Sequence, residues 1–120
     1  MSDTLRQRIL QAQDAKSVTV EVPEWGCSLQ VRSLTNRGRI DWEVACSKKR
    51  KGVVTMDPYR MKSQLVIMTC YDAATNELVF TDADRDALCD KSAAVVDRLF
   101  EAAAVLCGIT EQDEDDILGK

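Results

Sequence analysis

The chain has 120 residues, 45% hydrophobic and 30% charged, with a net charge of -4 and no histidine. That length holds one domain with a modest core, and that balance excludes a disordered chain. It also excludes a membrane-spanning run, bulk attraction to nucleic acid, and the usual general base near neutral pH.

The chain opens with charges in MSDTLRQRIL, where a secretory signal would be apolar, so a cytosolic protein is expected. Residues 3–13 predict a short helix, with Asp3 as cap and Leu5, Ile9 and Ala12 on one side. The stripe is thin, so this helix is expected to dock on something else or fray. Over 17–33 the period changes to two. Val18, Val20 and Val22 precede Pro23-Glu24-Trp25-Gly26, and Cys27, Leu29 and Val31 follow, which predicts a β-hairpin. Such a ribbon needs cover on its apolar face. Trp25 at its turn is either a lid on the core edge or an exposed anchor for a partner.

Thr35 or Asn36 opens the next predicted helix, with Ile40 and Val44 along one side and Trp42, Ala45 and Cys46 nearby. It is expected to end in Lys48-Lys49-Arg50-Lys51, cations that suit a helix C-terminus, with Gly52 as the stop. Residues 52–57 read as a loop. Asp57-Pro58 reads as a cap and a first helical position, starting a helix over 58–71 that is apolar nearly all round after Gln64. This is the expected central helix, with Met61 and Met68 as gap-fillers.

A turn over 71–77 and an extended trio, Leu78 to Phe80, follow. Thr81 with Asp84 three residues on reads as a capping box. The aspartates there lack the order of a calcium loop. From Thr81 to Gly108 a short helix runs into a longer amphipathic one. Val95, Leu99 and Ala103 are expected to hold the domain together, and Phe100 and Leu106 to lie at the margin of that face, within reach of a partner. Residues 111–120 are expected to be an acidic, flexible tail in which Ile117 and Leu118 form a small docking motif.

Five cysteines, Cys27, Cys46, Cys70, Cys89 and Cys107, are spread without a close pair. They read as mostly buried apolar residues, not as a disulfide framework or metal site. No phosphate loop, dinucleotide fingerprint or serine elbow occurs, and a cysteine nucleophile lacks its histidine. An enzyme, a cofactor and a metal are therefore not expected. The basic run carries no interleaved aromatic and sits in no groove-reading motif, so nucleic acid is not the expected partner. Residues 1–62 hold twelve lysines and arginines against seven acids, and residues 63–120 hold four against thirteen. Such a charge dipole either draws copies together head to tail or reflects two faces that are simply solvated. The expected fold class is α+β: an N-terminal helix and β-hairpin packed against a small bundle of about four helices, as one domain over 1–110.

The segment CYDAATNELVFTDADRDALCDKSAAVVDRLFEAAAVLCGIT resembles the C-terminal half of tail assembly chaperones of long-tailed bacteriophages. An apolar helix leads into a D-x-x-x-G/N-x-x-x-F turn, then a capped helix, K-S-[AG], and an amphipathic helix ending before glycine. The matching residues are Asp72, Asn76, Phe80, Thr81, Asp84, Leu88, Lys91, Ser92, Leu99, Phe100 and Gly108. SVTVEVPEWGCSLQVRSLT is similar to the family's hairpin. Cys107 departs from the commoner asparagine, and the run at 48–51 is not demanded by the pattern.

The resemblance implies a non-enzymatic protein of the host bacterial cytoplasm that binds the tape measure protein and promotes tail tube assembly, yet is absent from the finished particle. It further implies a longer form, made by a programmed frameshift near Gly119-Lys120, that reaches the major tail tube protein. A nucleic-acid-associated regulator using Arg37, Arg39 and the run at 48–51, or a structural tail component, are the alternatives.

Overall fold

The computed structural model describes residues 4–110 and 112–114. Helix α1 spans Leu5–Gln11. Its cap is Thr4, whose hydroxyl accepts from the Gln7 N–H at 3.1 Å while the Gln7 side chain accepts from the Thr4 N–H at 2.9 Å. This reciprocal box satisfies two donors that a helix start leaves open. Asp3, the expected cap, lies outside the described residues. Residues 12–16 link α1 to the sheet without regular structure.

Strands β1 (Ser17–Val22) and β2 (Cys27–Arg32) form the predicted hairpin around a single 3-10 turn, Pro23–Trp25. The register pairs Val18 with Val31, Val20 with Leu29 and Val22 with Cys27, so the apolar residues share one face. Val22, Leu29 and Val31 are buried there.

Helix α2 covers Asn36–Cys46. Of the two candidate openers, Thr35 is the cap, its hydroxyl accepting from the Gly38 N–H at 3.1 Å. The buried side is Trp42 and Cys46, one turn apart, while Ile40 and Val44 are exposed. This corrects the expected core face: both sides of α2 carry apolar residues, and the larger indole takes the interior. The Trp42 indole N–H donates to the Met61 carbonyl at 3.0 Å, so its burial leaves no orphan donor. Trp42→Phe should therefore cost about 1–3 kcal/mol from the lost bond and volume. Urea denaturation checks this, and an unmoved midpoint would show that the contact carries no stability.

The helix stops at Cys46, not at Lys51. Ser47–Arg50 is strand β3, and Val53–Met56 is strand β4, paired antiparallel as a separate two-stranded ribbon. Lys51 and Gly52 have φ of 53° and 80°. Two consecutive left-handed residues are what a tight two-residue hairpin requires. Gly52 thus turns the chain back on itself, and the expected loop at 52–57 is largely strand.

Helix α3 (Pro58–Thr69) begins as predicted, with Asp57 accepting from the Tyr59 N–H at 3.0 Å. It is the central helix, burying Met61, Leu65, Val66 and Ile67. Its buried polar residues are all engaged. Ser63 donates to the Tyr59 carbonyl, Thr69 to the Leu65 carbonyl, and Gln64 donates to Asp82 while accepting from Arg85 at 2.6 Å.

Strand β5 (Cys70–Asp72) pairs with β2, and β6 (Glu77–Leu78) pairs with β5, giving one sheet in the order β1-β2-β5-β6. These short strands extend the hairpin into a sheet that can persist. The Thr81–Asp84 box forms, with the Asp84 carboxylate accepting from the Thr81 N–H at 2.8 Å. A 3-10 turn, Asp82–Asp84, then leads into α4 (Arg85–Cys89), and α5 (Ala93–Cys107) follows. Helices α3 and α5 pack together and cover the apolar face of the sheet. The expected α+β class stands, with four helices beside the sheet. Helix α1 contributes no buried residue.

Candidate protein-binding surfaces

Helix α5 buries Val95, Leu99 and Ala103, as its spacing predicts. It also buries Phe100, whose exposure is 0%, so the expected place of Phe100 at the margin is corrected. The reason lies beyond α5. The Lys62 ammonium sits 5.7 Å from the Phe100 ring centre and is held by Asp97 at 2.6 Å. The ring itself lies in the core cluster that α5 shares with α3 and the sheet, neighbours that α5 alone does not reveal.

Trp25 is half-buried against the core, in the place expected of a lid. Above it, Arg98 grips the hairpin turn, donating to both Glu24 carboxylate oxygens at 2.9 and 2.5 Å and to the Glu21 carbonyl at 3.2 Å. The Arg98 bond, joined by a backbone N–H, pulls the Glu24 carboxyl from its ordinary 4.5 to about 2. Because the folded value is depressed, the stability it confers is present above the unfolded value near 4.5 and is lost as pH falls toward about 2. Wild type and Glu24→Gln should therefore differ most in urea midpoint above pH 4.5 and converge toward pH 2. A pH-independent difference would contradict the clip.

Leu106 is half-buried and lines a cleft of about 360 Å³ at the C-terminal end of α5. Asp14, Ala15 and Lys16 from the α1–β1 link, together with Ser33 to Asn36 and Cys107, complete its wall. The Leu34 N–H donates to the Cys107 sulfur at 3.3 Å, and partial burial raises that thiol. Burial, the largest cause in both, pushes Cys46 and Cys70 up to about 12, with Asp57 and Glu43 adding to the shift at Cys46, which leaves both as unreactive packing residues. Cys27 and Cys89 are exposed, so the expectation that most cysteines are interior is corrected. A second, shallower cleft of about 230 Å³ lies between α3, α4 and the start of α5, around Tyr59, Leu88 and Val96.

Two surfaces stand out from the body. On α1, Leu5, Ile9 and Leu10 are 64%, 62% and 66% exposed. The sequence placed Leu5 and Ile9 together but not Leu10, one residue on from Ile9 and still on the same broad side. The β3–β4 ribbon exposes Val53 and Val54 beside Lys48, Lys49, Arg50 and Lys51. Sequence reading missed this ribbon, although the β-branched run Val53-Val54-Thr55 after Lys-Gly was a usable signal.

Residues 112–114 are helical, and Asp113 accepts from Thr110 and lies 3.9 Å from Arg39. The first part of the tail is thereby tied to α2. Ile117 and Leu118 lie outside the described residues. Among the described residues no cluster of three His, Cys, Asp or Glu side chains could hold a metal, and no helix is long and apolar enough to cross a membrane. What the molecule offers is surface: an apolar helix, a basic ribbon and a cleft.

A family model described as phage tail assembly chaperone matches residues 4–117. No curated protein and no solved structure matches the chain. The match spans nearly the whole sequence, and the chain belongs to the phage tail assembly chaperone family.

Proposed function

We propose that this tail assembly chaperone, acting without catalysis in the host bacterial cytoplasm, holds the tape measure protein and promotes polymerisation of the tail tube around it. It leaves before the particle is finished. A longer frameshifted form brings in the major tail tube protein, and copies of the chain associate with one another.

The observation that carries this reading is α1. A properly capped helix presents three large apolar side chains to water and buries none of its residues. Each such side chain, once covered, contributes about 1.5–3 kcal/mol, so an amphipathic helical client gains by lying against it. The cleft around Leu106 begins where the α1 link ends, and gives the same client a second foothold. Trp25, as a half-buried lid, and the Ile117-Leu118 segment of the tail remain further contacts in this reading.

Co-expression with the tape measure protein of the same phage, followed by co-purification, tests the proposal. A tape measure protein that stays insoluble or is not retained would refute it. Mass spectrometry of purified virions separates the chaperone from a resident tail component, because abundant peptides of this chain would mark a component. Sequencing the DNA over Gly119-Lys120 tests the longer form, which needs a slippery run and an overlapping frame.

A further inference from the structure

The β3–β4 ribbon is an arm with little support from its own subunit. None of its residues is buried, and Val53 and Val54 are 59% and 63% exposed. Among the described residues, Lys48, Lys49, Arg50 and Lys51 enter no ion pair. A two-stranded ribbon is marginal alone in water.

The far edge of the four-stranded sheet has the opposite character. Strand β6 pairs with β5 on one side and ends the sheet on the other. Leu78 and Val79 there are 46% and 41% exposed. Glu77 lies on that strand opposite Asp72, and the segment that follows to Asp90, through α4, carries four more carboxylates and one basic residue, Arg85; of the four, Asp82 and Asp84 already accept from Gln64 and Thr81. Arm and edge are thus complementary twice: valines against Leu78 and Val79, and cations against carboxylates.

We infer that the arm of one copy docks along the free β6 edge of a second copy, with its valines on Leu78 and Val79 and its cations beside Glu77 and Asp86. This rests on the self-association proposed above and assigns it surfaces. The two surfaces differ, so the contact is heterologous and adds copies in one direction. The arm is ten residues, Ser47 to Met56, well short of the roughly 20–30 residues a side of a standard stable interface. Each contact is therefore weak and salt-sensitive, as suits a scaffold that must later come apart.

Charge exchange tests this on the purified chain alone. By sedimentation velocity, wild type should associate with rising concentration at about 50 mM salt, and at least about tenfold more weakly at about 500 mM. The arm variant K48E/K49E/R50E and the edge variant E77K/D86K should each remain monomeric at about ten times the wild-type midpoint. Mixing the two variants should restore association, since each now complements the other at both contacts. A chain carrying all five changes should associate by itself. These two restorations also show that the variants are folded.

A wild type that is monomeric at low salt, variants that associate as wild type does, or a mixture that stays monomeric would each overturn the inference. So would salt-sensitive retardation of duplex DNA that the arm variant loses while its association is unchanged, which would assign the arm to nucleic acid. No client is present in these measurements, so their failure leaves the co-purification result standing, and the reverse holds as well.

Discussion

Phe100→Asp is expected to leave no folded protein. Phe100 is wholly buried in the cluster that joins α3, α5 and the sheet. Truncating such a side chain to alanine costs about 3–5 kcal/mol through lost transfer energy and the cavity left behind. A carboxylate in that place adds several kcal/mol more, because it is buried without a partner. Lys62, the cation over the ring, is already held by Asp97 at 2.6 Å. Domains of this size are stable by only about 5–15 kcal/mol, so the sum consumes most or all of it. Phe100→Leu, which nearly conserves volume, should lose no more than about 1.5 kcal/mol. Near-ultraviolet circular dichroism and urea unfolding separate the outcomes. A soluble Phe100→Asp chain with native dichroism and cooperative unfolding would contradict the burial. It follows that an assembly defect in this variant reports on folding and not on a contact with a partner.

The second large effect is of the opposite kind. Leu5→Asp, Ile9→Asp and Leu10→Asp together should move the unfolding midpoint little, since α1 buries none of its residues. Exposed substitutions of this type shift stability by about 0.5 kcal/mol or less each. On the function proposed above, the same triple variant should reduce retention of the tape measure protein by more than about a hundredfold. Three covered side chains contribute about 1.5–3 kcal/mol each, and tenfold in affinity corresponds to about 1.4 kcal/mol. Co-purification against a titrated client measures it. Undiminished retention by a folded triple variant would remove α1 from the binding surface.

What could be read from the residues was local. The alternating valines on either side of Pro23-Glu24-Trp25-Gly26 marked the hairpin, Asp57-Pro58 marked the start of α3, and Thr81 with Asp84 marked a cap. Each of these signals needs only neighbours within a few positions. What escaped was set at a distance. Lys48 to Lys51 before Gly52 suits a helix end as well as a strand and turn, and only pairing with Val53 to Met56 decides between them. Strands β5 and β6, three and two residues long, exist because β2 offers them an edge. The choice between the two apolar sides of α2 depended on where α3 lay. The place of Phe100 depended on the core that α5 shares with α3 and the sheet. The same division holds for the candidate surfaces. The stripe on α1 was visible as a pattern, but its lack of any cover was visible only in three dimensions.

The link over residues 12–16 gives α1 one more property. Five residues span at most about 17–18 Å when extended. The root of that link forms one wall of the cleft that Leu106 lines. On the proposed function, a client segment seated in the cleft would be confined within a few helical turns of α1, and its second contact would become an intramolecular event. At such separations the effective concentration of one site around the other reaches the millimolar range, which can raise capture by about 10²–10⁴ over either contact alone. On the function proposed above, the short tether would turn two weak footholds into a single grip, released whenever either is pried away.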